Sequence, residues 1–222
     1  MSERVRAEWR ARIAAEYGSA AVTQHFVLWL MQAAAPPELL DAGLAIVADE
    51  LAHSRLSHEV YVAAGGTEPP AIDARALGLA AEDDLLSVAL RVFCLGETVA
   101  VPLFRRLRET CTEPVARAAL DRILRDEVRH RDFGWDVLDW LVLRDAGAAA
   151  RATSMLPALM ERLHASYGLG NEVVASDDGA MSDAERAWGV APPREYAEIL
   201  ARTTEREWVP RFSARGIAFP RA

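Results

Sequence analysis

Two short motifs place a glutamate three residues before a histidine, Glu50 with His53 and Glu127 with His130. Residues three apart on a helix project from one face, so each pair can reach a single metal ion. Carboxylate oxygen together with imidazole nitrogen suits iron or manganese. One such pair is a weak signal, but two pairs, each directly preceded by an aspartate (Asp49 and Asp126), predict a metal centre.

Two further glutamates, Glu16 and Glu97, lie among apolar residues that recur at spacings of three and four. Each belongs to the predicted helix that precedes one of the motifs. Glu8 shares a helix with Glu16 but falls off the apolar stripe, so we prefer Glu16 as the ligand. A helix with an inward glutamate, followed by a helix with Asp-Glu-x-x-His, thus occurs twice as a weak internal repeat.

The charge of these side chains supports metal binding. Each glutamate stands where the helical period requires a core residue, and an unpaired buried carboxylate costs several kcal/mol or must be protonated. Two divalent cations would balance four carboxylates, and neutral imidazoles would fill further coordination positions. The alternative is a metal-free bundle with surface carboxylates and core histidines. Beyond the metal ligands we predict no catalytic residue.

The elements that must position these residues are long helices, since strand-rich runs of valine, isoleucine and threonine are scarce. We predict an all-α fold, an antiparallel four-helix bundle with one long crossover. The bundle covers residues 1–147, and residues 148–222 form a helical C-terminal extension packed on the bundle or on a second subunit. The predicted bundle helices cover about 2–35, 38–64, 82–111 and 114–143, with the crossover at 65–81 and a mobile stretch at 167–180.

Composition bears on partners and location. The chain has 222 residues and a net charge of −8, and this acidic balance argues against binding nucleic acid. Cys94 and Cys111 lack the spacing of a zinc site and are too few for a disulfide framework. The start has no signal-peptide pattern, and no stretch of about 18 uncharged apolar residues predicts a membrane span. We therefore expect a cytoplasmic protein without a membrane contact.

The motifs and their order resemble the ferritin-like di-iron carboxylate superfamily. The resemblance covers about residues 8–145 and is carried by residues 16–21 (EYGSAA), 49–53 (DELAH), 96–98 (GET) and 126–130 (DEVRH). It implies two iron ions, or manganese in their place. Glu50 and Glu127 would contact both ions, whereas the remaining four ligands would bind one ion each: Glu16, His53, Glu97 and His130. It also implies that Asp49 orients His130 and that Asp126 orients His53.

By the same resemblance the protein is a non-haem di-iron oxidase or oxygenase. It would use O2 and an external electron donor to oxidise a small organic substrate, and would form a homodimer. The alternative is a ferroxidase, an iron-handling protein or a peroxide scavenger. The doubled Glu-x-x-His motif and the long extension speak against a subunit of a storage cage.

Small residues about one turn from the ligands suggest a cavity for oxygen or a substrate, because a core usually fills such positions with leucine or isoleucine. Cys94, three residues before Glu97, is a further candidate, although a buried unreactive thiol is the simpler interpretation. The candidate lining residues are Ala20, Thr23, Ser57, Cys94, Ala100 and Gly134.

Overall fold

A computed structural model describes residues 1–68, 72, 83–167 and 181–220. Every regular element in these ranges is helical, which confirms the all-α prediction. The bundle topology stays a prediction, and most of the predicted crossover and of the stretch at 167–180 lies outside the described residues. The helices are α1 (Glu3–Gln32), α2 (Pro37–Ala63), α3 (Leu85–Thr110), α4 (Pro114–Arg144), α5 (Ala148–Ser166), α6 (Asp183–Arg186) and α7 (193–213).

The ends of α1 and α2 follow from local chemistry. The Ser2 hydroxyl accepts a hydrogen bond from the Val5 N–H at 3.4 Å, which caps α1. Pro37 opens α2, where a missing N–H costs nothing. Gly65 follows α2 with a φ of 88°, a conformation that side chains with a Cβ rarely adopt. These three signals are local, so the sequence predicted the ends of both helices to within a few residues.

Helix α3 is not uniform. Its nine residues Ala89–Glu97 form a π-helical stretch between the α-helical Leu85–Val88 and Thr98–Thr110. Pro102 lacks an N–H, and the sequence predicts that it kinks the helix or loosens one turn. In the structure Pro102 lies within α-helix, and the wider π-helical turns end at Glu97, before that proline. Stretches of π-helix often mark functional sites, and this one ends on the candidate ligand Glu97.

Among the described residues, one helix has the length and apolar composition to cross a membrane. It is Leu85–Thr110, in which 67% of the apolar 18-residue window is buried. The core helix of a soluble protein passes the same test of length and composition, and this extent of burial is consistent with such a helix. The cytoplasmic location stays a prediction.

The chain forms two compact units, each built from separate segments. Unit one contains Met1–Asp83, Arg106–Asp126 and Ser182–Val190. Within it, the buried Trp9 indole donates to the Trp188 carbonyl at 2.9 Å, so part of the C-terminal extension packs against α1.

Unit two contains Asp84–Arg105, Glu127–Met181 and Ala191–Ala222. Its core holds large buried side chains from α3, α4, α5 and the extension. Among them are Leu90, Phe93, Leu138, Leu156, Trp208 and Phe212. The division predicted at residue 147 stays a prediction.

Candidate metal centre

All six predicted ligands are buried. Their positions on the apolar faces of α1, α2, α3 and α4 follow the helical period from which they were predicted. The exposed fractions are 7% for Glu16, 1% for Glu50, 0% for His53, 7% for Glu97, 2% for Glu127 and 0% for His130. Glu8, the alternative to Glu16, is only half-buried, and its Oε1 lies 3.5 Å from Arg12 Nη2.

Three of these side chains converge within unit one, and we call Glu16, Glu50 and His53 the first trio. One ligand atom of each lies within 4.8 Å of those of the other two. Nδ1 of His53 is 3.3 Å from Glu50 Oε2 and 3.9 Å from Glu16 Oε2. The Ser19 hydroxyl donates to Glu50 Oε1 at 2.8 Å, which orients that carboxylate.

The opposite side of the His53 ring meets Asp126. Its Nε2 lies 3.2 Å from Asp126 Oδ2, and both residues are buried. Arg122, one turn earlier on α4, donates through Nε to Asp126 and through Nη2 to Asp49 Oδ1 at 3.0 Å. The ligand motifs did not indicate this arginine, although the spacing of four between Arg122 and Asp126 on one helix could have revealed it.

The environment of the His53 ring tests whether the first trio suits a metal ion. A neutral imidazole carries one N–H and one lone pair. When Nε2 holds the hydrogen and donates to Asp126, the lone pair on Nδ1 faces the carboxylates of Glu50 and Glu16. Lone pairs repel there unless a proton or a cation lies among them. The donor set therefore fits a divalent cation. Asp126, on the other side of the ring, would fix the tautomer with the hydrogen on Nε2.

The ionisation of Glu16 points the same way. Burial raises its pKa well above the ordinary value, the charge of Glu50 raises it further, and His53 and Arg12 oppose the shift. Without a cation this carboxyl therefore tends to hold a proton. A bound cation would remove the cause of that shift by supplying the missing positive charge.

Three predicted ligands also converge within unit two, and we call Glu97, Glu127 and His130 the second trio. Nδ1 of His130 is 3.7 Å from Glu127 Oε2 and 4.0 Å from Glu97 Oε2. As in the first trio, a fully buried imidazole presents Nδ1 to two carboxylates. The same donor chemistry thus occurs in both units.

Tyr167 is a neighbour of the second trio that no sequence motif indicated. Burial raises its pKa, and the negative charges of Glu97 and Glu127 raise it further. The ring lies 6.1 Å from that of Tyr196, centroid to centroid. No spacing rule could have found Tyr167, because it follows α5 in the C-terminal extension, far along the chain from both glutamates.

At Gly134 and Cys94 the structure shows close packing between α3 and α4, and the predicted cavity beside them stays a prediction. A Cβ added at Gly134 would stand 2.6 Å from Phe93 Cβ and 2.8 Å from the Phe93 carbonyl carbon. The Cys94 thiol donates to the Gly134 carbonyl at 3.3 Å, and burial raises its pKa, as expected of an unreactive thiol. Glycine is therefore needed for the approach of α3 to α4.

The remaining predicted lining residues are small side chains on α1, α2 and α3. Ala20, Thr23 and Ser57 are buried and Ala100 is half-buried, so a cavity beside them stays a prediction. The contact predicted between Asp49 and His130 also stays a prediction.

No family model matches the chain, and no curated protein or solved structure matches it either. The resemblance to ferritin-like di-iron proteins therefore stays an expectation from the sequence motifs. The geometry supports a coarser conclusion, that buried groups of glutamate and histidine could hold a metal ion.

Proposed function

We propose that the first and second trios each bind an iron ion and that the chain is a di-iron oxidoreductase, which uses O2 to oxidise a small organic substrate. One observation carries the proposal: each trio contains a fully buried histidine whose Nδ1 faces two buried carboxylates. Bound ferrous iron would supply the electrons and the open coordination positions that oxygen reduction requires.

The protein's own residues would hold the ligands in place. Asp126 would keep the hydrogen of His53 on Nε2, so that the Nδ1 lone pair is the one presented to a metal ion. Arg122 contacts both Asp126 and Asp49, so its positive charge offsets two carboxylates next to the first trio. The Ser19 hydroxyl occupies one oxygen of Glu50 and leaves the other directed towards His53.

The donor set favours iron or manganese over softer metals. Both trios offer carboxylate oxygen and imidazole nitrogen without a thiolate, whereas zinc and copper(I) sites commonly use cysteine. Iron is preferred because the proposed reaction needs a metal that changes its oxidation state. If the reaction inserts oxygen into the substrate, an external donor must supply further electrons for each turnover.

Anaerobic titration with ferrous iron tests metal binding. We expect about two ions per chain, as in di-iron carboxylate bundles. Glu50→Ala should remove at least half of the bound iron, whereas Glu59→Ala, an exposed glutamate on the same helix, should leave it unchanged. Equal iron content in the two variants would refute the ligand assignment.

Oxygen consumption then separates substrate oxidation from iron handling. An oxidoreductase loaded with iron should keep consuming O2 when a reductant is supplied, without taking up more metal. An iron-handling protein should instead consume O2 only in proportion to added ferrous iron and should accumulate ferric iron well beyond two per chain. Gel filtration adds a further distinction, since a storage cage elutes as a very large particle and a homodimer does not.

A further inference from the structure

The backbone just before Glu97 departs from the regular α-helical pattern. In an α-helix the N–H of Thr98 would donate to the carbonyl of Cys94, four residues earlier. Here the Thr98 N–H donates to the carbonyl of Leu95 instead, at the end of the π-helical stretch. The carbonyl of Cys94 accepts the indole N–H of Trp208 at 3.0 Å.

A second indole contacts the side chain of the residue that follows Glu97. Trp135 of α4 donates to the Thr98 hydroxyl at 3.0 Å, and its ring is 2% exposed. Phe212 of the extension packs edge-on against Trp135, with the ring centroids 4.9 Å apart. Both hydrogen bonds lie within three residues of Glu97, one at Cys94 and one at Thr98.

Trp208 itself is fully buried and ends a second π-helical stretch, Thr204–Trp208. Its ring stacks on Phe219, with the centroids 6.0 Å apart. A buried N–H without an acceptor is unfavourable, so the bond to Cys94 favours one register of α7 against α3. The direction of the Glu97 side chain depends on that register, because a π turn rotates the residues after it relative to an α turn.

We propose that Trp208 and Trp135 are positioning residues for Glu97, and that the C-terminal extension thereby sets the metal affinity of the second trio. This inference rests on the proposed function, since it assumes that the second trio binds metal. It assigns the extension a role that neither the ligand motifs nor the resemblance covers.

Trp208→Phe tests the inference, because phenylalanine keeps an aromatic ring but removes the N–H. Trp9→Phe is the matched control, since Trp9 is equally buried and donates to a backbone carbonyl at 2.9 Å within unit one. Both variants are made in a His53→Ala background, which removes a ligand of the first trio. Binding of Co2+ is measured by its visible absorption, and amide hydrogen exchange of residues 94–99 is measured without metal.

We expect Trp208→Phe to lower the Co2+ affinity by about tenfold or more, as residues supporting metal ligands commonly do. Amide exchange at 94–99 should be faster in the same variant, and Trp9→Phe should change neither quantity. An equal loss of affinity in the two variants, or no change in exchange with Trp208→Phe, would overturn the inference.

Two further outcomes are distinguishable. If the unaltered protein binds Co2+ at neither trio, the proposed function fails. Unchanged amide exchange at 94–99 in Trp208→Phe would then also refute the positioning role of the tryptophans, whereas faster exchange would support it. If Trp208→Phe does not fold, Thr98→Val is a second test. Valine is similar in size to threonine but lacks the hydroxyl that accepts the Trp135 hydrogen bond, so this variant should also lower Co2+ affinity. Unchanged affinity in Thr98→Val would then refute the inference.

Discussion

Asp126 and His53 meet in a buried contact, with the carboxylate oxygen Oδ2 3.2 Å from the ring nitrogen Nε2. The two residues come from different helices, α4 and α2, and are far apart in the sequence. The contact leaves Nδ1 as the ring nitrogen that faces Glu50 and Glu16. The orientation of one imidazole thus depends on a carboxylate from another helix, and this dependence can be measured.

Asp126→Asn should weaken metal binding at the first trio by about 10- to 100-fold, the usual effect of losing a partner of a metal-ligating histidine. The amide is nearly the same size but lacks the charge that holds His53 and Arg122. Isothermal titration with Mn2+ measures the loss. Asp121→Asn is the control on the same helix, because Asp121 is exposed and pairs with Arg108. Equal affinities in the two variants would contradict the proposed role of Asp126.

Glu16→Gln should change the stability of the metal-free protein in a pH-dependent way. Burial and the charge of Glu50 raise the pKa of Glu16, so the folded state binds its proton more tightly than the unfolded state does. As the pH rises above the ordinary glutamate pKa, the unfolded chain loses this proton first and stability falls. Glutamine has no proton to lose, so the metal-free variant should melt at a higher temperature at neutral pH.

The same substitution should have the opposite effect once metal is present. Glutamine is a weaker ligand, so added Mn2+ should raise the melting temperature of Glu16→Gln less than that of the unaltered chain. Thermal melts with chelator and with Mn2+, each at pH 5 and pH 8, give both comparisons. The exposed Glu59→Gln serves as the control. A metal-free Glu16→Gln variant that melts lower than the unaltered chain at pH 8 would contradict the prediction.

His53→Ala and His58→Ala compare a buried and an exposed histidine on one helix. His53 has carboxylates next to both ring nitrogens, so its loss should remove at least half of the bound iron. His58 is exposed and is not a predicted ligand, so its replacement should leave the iron content unchanged. Elemental analysis after anaerobic loading measures both. A similar loss in the two variants would indicate adventitious binding to surface histidines.

Gly134→Ala should destabilise the protein by about 1–3 kcal/mol, the usual cost of overpacking a core. The added methyl group would meet the Phe93 side chain and backbone, which cannot move away as a flexible side chain could. Gly18→Ala should instead stabilise by about 0.4–1 kcal/mol, because a Cβ there has open space within α1. Urea denaturation of the metal-free proteins measures both, and destabilisation of equal size in the two would contradict this explanation.

Much of the candidate site could be predicted from the sequence, because the helical period is a local property. Residues three and four apart share a face, so apolar neighbours indicated that Glu16, Glu50, Glu97 and Glu127 would be buried, and all four are. Serine, proline and glycine marked the ends of α1 and α2 in the same local way. The histidine spacing predicted which imidazole would accompany which glutamate.

Only the tertiary structure decided the features that join distant parts of the chain. The pairing of Arg122 with Asp49, the proximity of Tyr167 to the second trio and the bond from Trp208 to Cys94 link residues on separate elements, which no local pattern specifies. The π-helical stretch belongs to the same class, because its carbonyl at Cys94 accepts a hydrogen bond from a side chain more than a hundred residues later. Packing at Gly134 likewise depends on how closely α3 approaches α4, a distance set by the folded core.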